Sequence, residues 1–160
     1  MEVSKNLNSL KDNVIEFCNS RDDILGFCGR VSKNLRYKSM LPQKQPVQKL
    51  MSKINASKFP NSKNILDCII RANYELKWNT TYSENEVGPE FIKRYGWFDL
   101  IGPNGPFLIK STRIIIGYWV ENLDYQMHWH EAEEGYVPLV GSALFWSEYN
   151  GKRLLVLVIL

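Results

Sequence analysis

Two histidines stand one residue apart in this sequence, His128-Trp129-His130, and the chain contains no others. Glu134 follows after three residues, and Gly141 six residues later. On a β-strand, positions i and i+2 point to the same face. Both imidazoles can therefore reach one metal ion from a single strand, and Glu134 can add a carboxylate oxygen after a short turn. Imidazole with carboxylate suits one divalent transition metal, with iron, manganese and zinc as the candidates. A histidine pair alone is a weak signal, because solvated pairs are common. The full run of two histidines, glutamate and glycine at fixed intervals is far more specific.

The bulk numbers frame that site. The chain has 160 residues, 44% hydrophobic and 23% charged, which suffices for one domain with a core. The net charge is +3, too mild to argue for nucleic acid. The lysines and arginines of 33–63 are interspersed with apolar and turn residues and read as a solvated helical face. No segment approaches the ~20 apolar residues of a membrane span, and the N-terminus lacks a signal-peptide core. Cys18, Cys28 and Cys68 form no CxxC pair. Cys18 and Cys28 fall on apolar helical stripes and read as buried thiols, so the expected location is the cytoplasm.

The elements that must position the site change character near Trp78. Before it the apolar spacing is helical. Leu7, Leu10, Val14 and Phe17 form one stripe. Ile24, Phe27, Cys28, Val31 and Leu35 form another, with Asp22 as its expected cap. Pro42 and Pro46 mark a loop, followed by a helical turn around Leu50, Met51 and Ile54. Asn61 or Ser62 opens a further helix carrying Ile65, Leu66, Ile69 and Leu76. After Trp78 the pattern becomes short apolar runs between turn residues. Strands are expected over Trp97–Ile101, Ile114–Val120, Tyr125–His130 and Tyr136–Trp146. Gly102–Pro106 reads as a turn. Asn150-Gly151 signals a hairpin, with Leu154–Leu160 as its returning strand. The expected organisation is a helical extension over 1–77 and a β domain over 78–160, forming one unit of α+β class.

His128, His130, Glu134 and Gly141 resemble the first motif of the cupin superfamily, small β-barrels that hold a metal inside. The glycine that usually stands six residues before the first histidine is Asn122 here. Asparagine tolerates left-handed backbone angles, so the same turn is available. A narrower likeness covers roughly Ile65 to Trp146. Trp78, Tyr82, Tyr95-Gly96 and the run Leu100–Pro106 resemble the segment before the metal motif in dimethylsulfoniopropionate (DMSP) lyases. His128-Trp-His-Glu-Ala-Glu-Glu-Gly-Tyr136 resembles the motif itself. The fold this implies is a helical region packed on a cupin-type antiparallel β-barrel.

The resemblance also implies a reaction. A base removes the proton beside the carboxylate of a small zwitterionic substrate. Dimethyl sulfide then leaves, giving acrylate. Tyr136 is the candidate base, two residues after Glu134 and on the same strand face. Its phenol has an ordinary pKa near ~10, so a nearby cation is required to make phenolate accessible. Tyr82 and Tyr125 are candidates for lining the pocket or moving protons. Trp78, Trp97, Trp119 and Trp129 are more often core than ligand contacts, with one or two of them, Trp78 among the candidates, facing the sulfonium by cation–π attraction. Glu133 is expected to support the site or be solvated.

A second cupin motif would bring another histidine, which this chain lacks. Its tail from Gly151 does not resemble the family's continuation. The sequence thus reads as C-terminally truncated, with an incomplete barrel and weak activity or none. Other cupin chemistries, isomerase or dioxygenase, reuse the same ligands, and a non-catalytic small-ligand-binding cupin is a third class. No partner beyond the substrate is implied, except that a homodimer stays open. If His130 is a ligand and Trp129 points to the opposite face, His130→Ala should lose most bound metal while Trp129→Phe keeps it. Elemental mass spectrometry after dialysis reads the difference, and equal metal in the two variants would refute the ligand assignment.

Overall fold

The computed structural model describes residues 2–125, 132–143 and 152–159. The first helix, α1 (Lys5–Asn19), starts where the Ser4 side chain accepts the Leu7 amide hydrogen bond. Its apolar stripe buries Leu7, Leu10, Val14 and Cys18. The next, α2 (Asp22–Cys28), is shorter than its apolar spacing suggests. It stops at Gly29, whose φ of 71° is left-handed and needs no Cβ to be accommodated. Val31 still reaches the core from beyond the helix end. Asp22 is not the cap. It is the first helical residue, and the neighbouring Asp23 carboxylate accepts from the Ile24 amide. A turn of helix, α3 (Gln48–Met51), follows the proline loop, and α4 (Lys63–Ala72) buries Ile65, Leu66, Cys68 and Ile69. Leu76 is buried too, but past the helix. Cys18 and Cys68 are buried as expected, whereas Cys28 is only half-buried.

Six strands lie among the described residues: β1 (Arg36–Tyr37), β2 (Tyr95–Ile101), β3 (Phe107–Leu108), β4 (Ile114–Trp119), β5 (Ala132–Val140) and β6 (Lys152–Ile159). They form one sheet in the order β1-β3-β2-β4-β6-β5. Two short helices, α5 (Glu84–Val87) and α6 (Pro89–Arg94), lead into β2. Because β1 comes from the helical half, that half contributes both the helices and one edge of the sheet. The molecule is α+β, and the sheet is open, with β1 and β5 at its two edges.

The pairing departs from an antiparallel barrel at one parallel bridge between β2 and β3, Ile101 with Phe107, and along the whole of the other side. Antiparallel register holds for β2 with β4 and for β1 with β3. In contrast, β6 runs parallel to both β4 and β5. It therefore does not return from β5 as a hairpin. The unbroken apolar run Leu154–Ile159 is the composition of a strand set between two others, and such runs favour parallel interior positions. Among the other expectations, residues 126–130 and 144–151 lie outside the described residues. Tyr125 precedes them outside any strand.

Alternation along the strands separates two faces. Phe98, Leu100, Ile114, Ile116, Val137 and Leu139 face the helices and join their core. Tyr95, Trp97, Ile115, Trp119 and Tyr136 belong to a second cluster on the other face. Glycines on the helical face allow close approach. A Cβ on Gly96 would stand 2.7 Å from the Val47 side chain, and one on Gly135 would stand 3.2 Å from the Phe27 ring. On the second face, the Trp119 ring folds back over Gly117, where a Cβ would come within 2.2 Å of it. Gly117→Ala should thus push Trp119 out of place and destabilise the fold by roughly 1–3 kcal/mol, the usual cost of overpacking. Urea unfolding followed by tryptophan fluorescence measures both effects, and a variant with unchanged midpoint and emission would contradict the packing.

Candidate functional site

The second face of the sheet is where the chemistry-bearing residues meet. Strand β5 carries Glu134 and Tyr136 two residues apart, so both side chains leave the same face. The Tyr136 hydroxyl donates a hydrogen bond to Oε2 of Glu134. Strand β5 ends where Gly141 adopts a φ of 70°, which accounts for glycine at that place in the motif. Upstream, Asn122 adopts a φ of 56°, the left-handed turn that its identity permits.

Tyr136 packs among aromatic neighbours. Tyr95 and Trp119 form the buried base of the cluster, with Tyr82, Phe91 and Tyr125 around them. Tyr125 is the hub. Its ring lies 5.1 Å from Tyr95, 5.6 Å from Trp119 and 6.0 Å from Tyr82, centroid to centroid. Tilted and edge-on contacts of this kind align ring edges with ring faces. Polar links run through the same cluster. The Tyr95 hydroxyl lies 2.8 Å from Thr81 Oγ1 and 3.0 Å from the Tyr125 hydroxyl. The Trp97 indole donates to Thr81 Oγ1 at 3.0 Å.

Burial dominates the electrostatics. It raises the Tyr136 phenol above its ordinary range, and the hydrogen bond to Glu134 and that residue's charge push the same way. Tyr125 is raised as well, first by burial and then by Tyr95. Tyr95 is pushed up to about 12, again chiefly by burial. In these surroundings phenolate is costly, so a cation close to Tyr136 is what would make it a base.

The sequence-derived candidates divide into three groups. Glu134, Tyr136, Tyr82 and Tyr125 come together on one face. Trp78 does not join them. It is fully buried among the helices, packs edge-on against Phe98, and gives its indole hydrogen to Asn73. It belongs to the core shared with the helices and not to the cluster around Tyr136. His128 and His130 lie outside the described residues, as does Trp129. Among the described residues no cluster of three or more metal-ligating side chains occurs. Glu134 is half-buried on the aromatic face with a phenol at its carboxylate. Two imidazoles and that carboxylate form a donor set that fits a divalent first-row ion.

Sequence reasoning noticed Tyr95 and Thr81 least. Tyr95 entered only as part of a family-like block, and Thr81 not at all. The signal available was alternation, since Tyr95, Trp97 and Asp99 share one strand face. Farther along that face, Asp99 accepts from Arg113 at 2.6 Å, and a cavity of about 190 Å³ opens beside them.

The comparisons with known proteins point one way. A family model described as dimethylsulfoniopropionate lyase matches residues 19–155. Over 89 residues the chain is 36% identical to the dimethylsulfoniopropionate lyase DddQ of Ruegeria pomeroyi, covering 56% of this chain and 44% of that protein. A chain from the crystal structures of the DMSP lyases RdDddP and RnDddQII superposes with a TM-score of 0.62 at 28% identity, covering 71% of this chain and 58% of that one. The DMSP lyase DddQ from Ruegeria pomeroyi DSS-3 superposes with a TM-score of 0.60 at 22% identity, covering 69% and 56%. At that identity the second likeness shows the fold. The present chain spans about half the length of the relatives it matches.

Tyr95 supplies a test of the cluster's electrostatics. Its folded pKa, about 12, exceeds its ordinary value of 10.0. The unfolded chain therefore gives up this proton first, and the contribution to stability is intact below pH 10 and lost as pH rises through 12. The urea midpoint should fall over that window less steeply in Tyr95→Phe than in the unmodified chain. Parallel slopes would show that the Tyr95 hydroxyl is not held in a buried site.

Proposed function

Because the chain belongs to the dimethylsulfoniopropionate lyase family, we propose that it is built for base-catalysed β-elimination on that zwitterion, yielding dimethyl sulfide and acrylate. The observation that carries the proposal is the Tyr136 hydroxyl directed at the Glu134 carboxylate within an aromatic face.

His128, His130 and Glu134 are the residues that would hold a divalent metal, iron, manganese or zinc. When bound, such an ion supplies Lewis-acid polarisation of the substrate carboxylate. The chain's own groups do the rest. Tyr136, once its own proton is released to solvent and its phenolate is stabilised by the bound cation, would accept the proton from the carbon beside the carboxylate. The electrons of that C–H bond become the new double bond as the C–S bond breaks, and dimethyl sulfide departs with the bonding pair. Tyr82 and Tyr125 line the face and orient the substrate. Their rings, with Phe91 and Trp119, suit a sulfonium cation through their negative faces and keep water from the reacting carbon.

No helix among the described residues is long and apolar enough to cross a membrane. Three unpaired thiols fit a reducing cytoplasm.

Tyr136→Phe preserves the packing and deletes only the proton acceptor. It should keep its metal and lose ~10²–10⁴-fold in rate, the usual contribution of a general base. Headspace dimethyl sulfide, measured at matched metal occupancy against a chelator-treated control, is the assay. Turnover of Tyr136→Phe at the unmodified rate would exclude Tyr136 as the base. Dimethyl sulfide no higher with metal than with chelator would refute the lyase reading for this chain.

A further inference from the structure

We propose that the cavity beside Trp97 is a binding site for a small monocarboxylate. The site's chemistry stands by itself, and only the choice of acrylate as its ligand rests on the lyase reading above. The cavity measures about 190 Å³. A water takes ~30 Å³ of liquid volume, so there is room for a molecule of roughly six heavy atoms. Trp97 and Asp99 enter from one face of β2, and Arg113 from the residue before β4. Lys77 comes from the segment that bridges to Gln43 and, through Asn79, to Trp97. Backbone hydrogen bonds between Asn79 and Trp97, at 2.7 and 3.0 Å, hold that wall against the strand. Met40 lies just after β1, and Asn104 is in the turn after β2.

Charge decides what this cavity takes. Asp99 is its carboxylate, with a side chain only 7% exposed. Both oxygens accept from Arg113, Oδ1 from Nε at 2.6 Å and Oδ2 from Nη2 at 3.1 Å. The negative charge is thus matched by one of two cations. Lys77 is the other, exposed and without an ion-pair partner among the described residues. The lining therefore carries one positive charge in excess. A guanidinium has five N–H donors, and Asp99 takes two. The remaining three, with the Lys77 ammonium and the Asn104 amide, are the donors a carboxylate requires. A positive group on the ligand finds no such welcome. Asp99 is already matched, and the Arg113 guanidinium stands over the Trp97 ring, 5.7 Å from its centroid. The cavity therefore suits a monoanion and disfavours a zwitterion. Met40 and the Trp97 ring give an apolar wall for a short hydrocarbon tail. Trp97 also borders the aromatic cluster, since its indole hydrogen goes to Thr81 and its ring packs there. A carboxylate formed on the reactive face would have this cationic cavity beside it.

The test titrates the full ¹⁵N-labelled chain with sodium acrylate and, separately, with sodium propionate, at constant ionic strength. The readouts are the Trp97 indole N–H and Arg113 Nε–H resonances, identified by their loss in Trp97→Phe and Arg113→Lys. Both should shift saturably with either acid. Lys77→Glu alters an exposed side chain, so it should unfold at the unmodified temperature. It should raise the Kd roughly five- to tenfold, because an attraction at the rim becomes a repulsion. Lys77→Arg keeps the cation and should bind as the unmodified chain does. Glycine betaine, a zwitterionic carboxylate, should move neither resonance. Absence of a saturable shift with both acids would overturn the proposal. So would an unchanged Kd in Lys77→Glu, or betaine binding as tightly as acrylate. Binding that depends on Lys77, in a chain that releases no dimethyl sulfide with metal, would refute the lyase reading and leave the carboxylate site standing.

Discussion

The pleat of the sheet is the constraint on which the site depends. Successive side chains of a strand leave opposite faces, so a strand covered by helices on one side must offer every second residue to the other. In β2 and β4, Phe98, Leu100, Ile114 and Ile116 satisfy the helical core. The residues between them, Tyr95, Trp97, Ile115 and Trp119, are thereby gathered on the far face. Strand β5 obeys the same rule. Val137 and Leu139 go to the helices, which leaves Glu134 and Tyr136 together on the aromatic side. A one-residue slip in any of these strands would exchange the two sets. Core packing therefore also enforces the register of the reactive groups.

That arrangement makes a demand on electrostatics. Phenols placed in an aromatic, half-buried face are held neutral, and a carboxylate hydrogen-bonded to Tyr136 opposes its ionisation further. The surroundings of Tyr95, Tyr125 and Tyr136 all act in this direction. They suit donation of a proton better than its acceptance. A base at Tyr136, as proposed, would thus depend on positive charge brought close to Glu134.

The two ends of the sheet are built differently. From β1 to β4 the strands are short or antiparallel, and the helices cover one side. Beyond β4 the sheet continues in parallel through β6 to β5. The strand that carries Glu134 and Tyr136 is an edge, joined to the aromatic cluster of β2 and β4 through the intervening β6. Contact between Tyr136 and that cluster is made across the face, by side chains long enough to bridge a strand.

Much of this was legible in the residues. Helical spacing before Trp78 and short apolar runs after it announced an α+β chain, because burying one stripe or one face leaves a periodic mark. The interval of two between Glu134 and Tyr136 placed them on one face, and Asn122 announced a left-handed turn. Spacing could not show which strands would be neighbours. The parallel placement of β6 depends on competition among apolar runs far apart in sequence, and an Asn-Gly pair before the strand suggested a hairpin instead. Nor could residue type alone distinguish Trp78, buried against Asn73, from Trp119, which lies in the reactive cluster, since both are tryptophans beside apolar neighbours. The link from Trp97 through Thr81 and Tyr95 to Tyr125 joins residues up to 44 positions apart. Only the folded chain brings those hydroxyls within 3.0 Å of one another, because hydrogen bonds require a distance and an angle that no local pattern encodes.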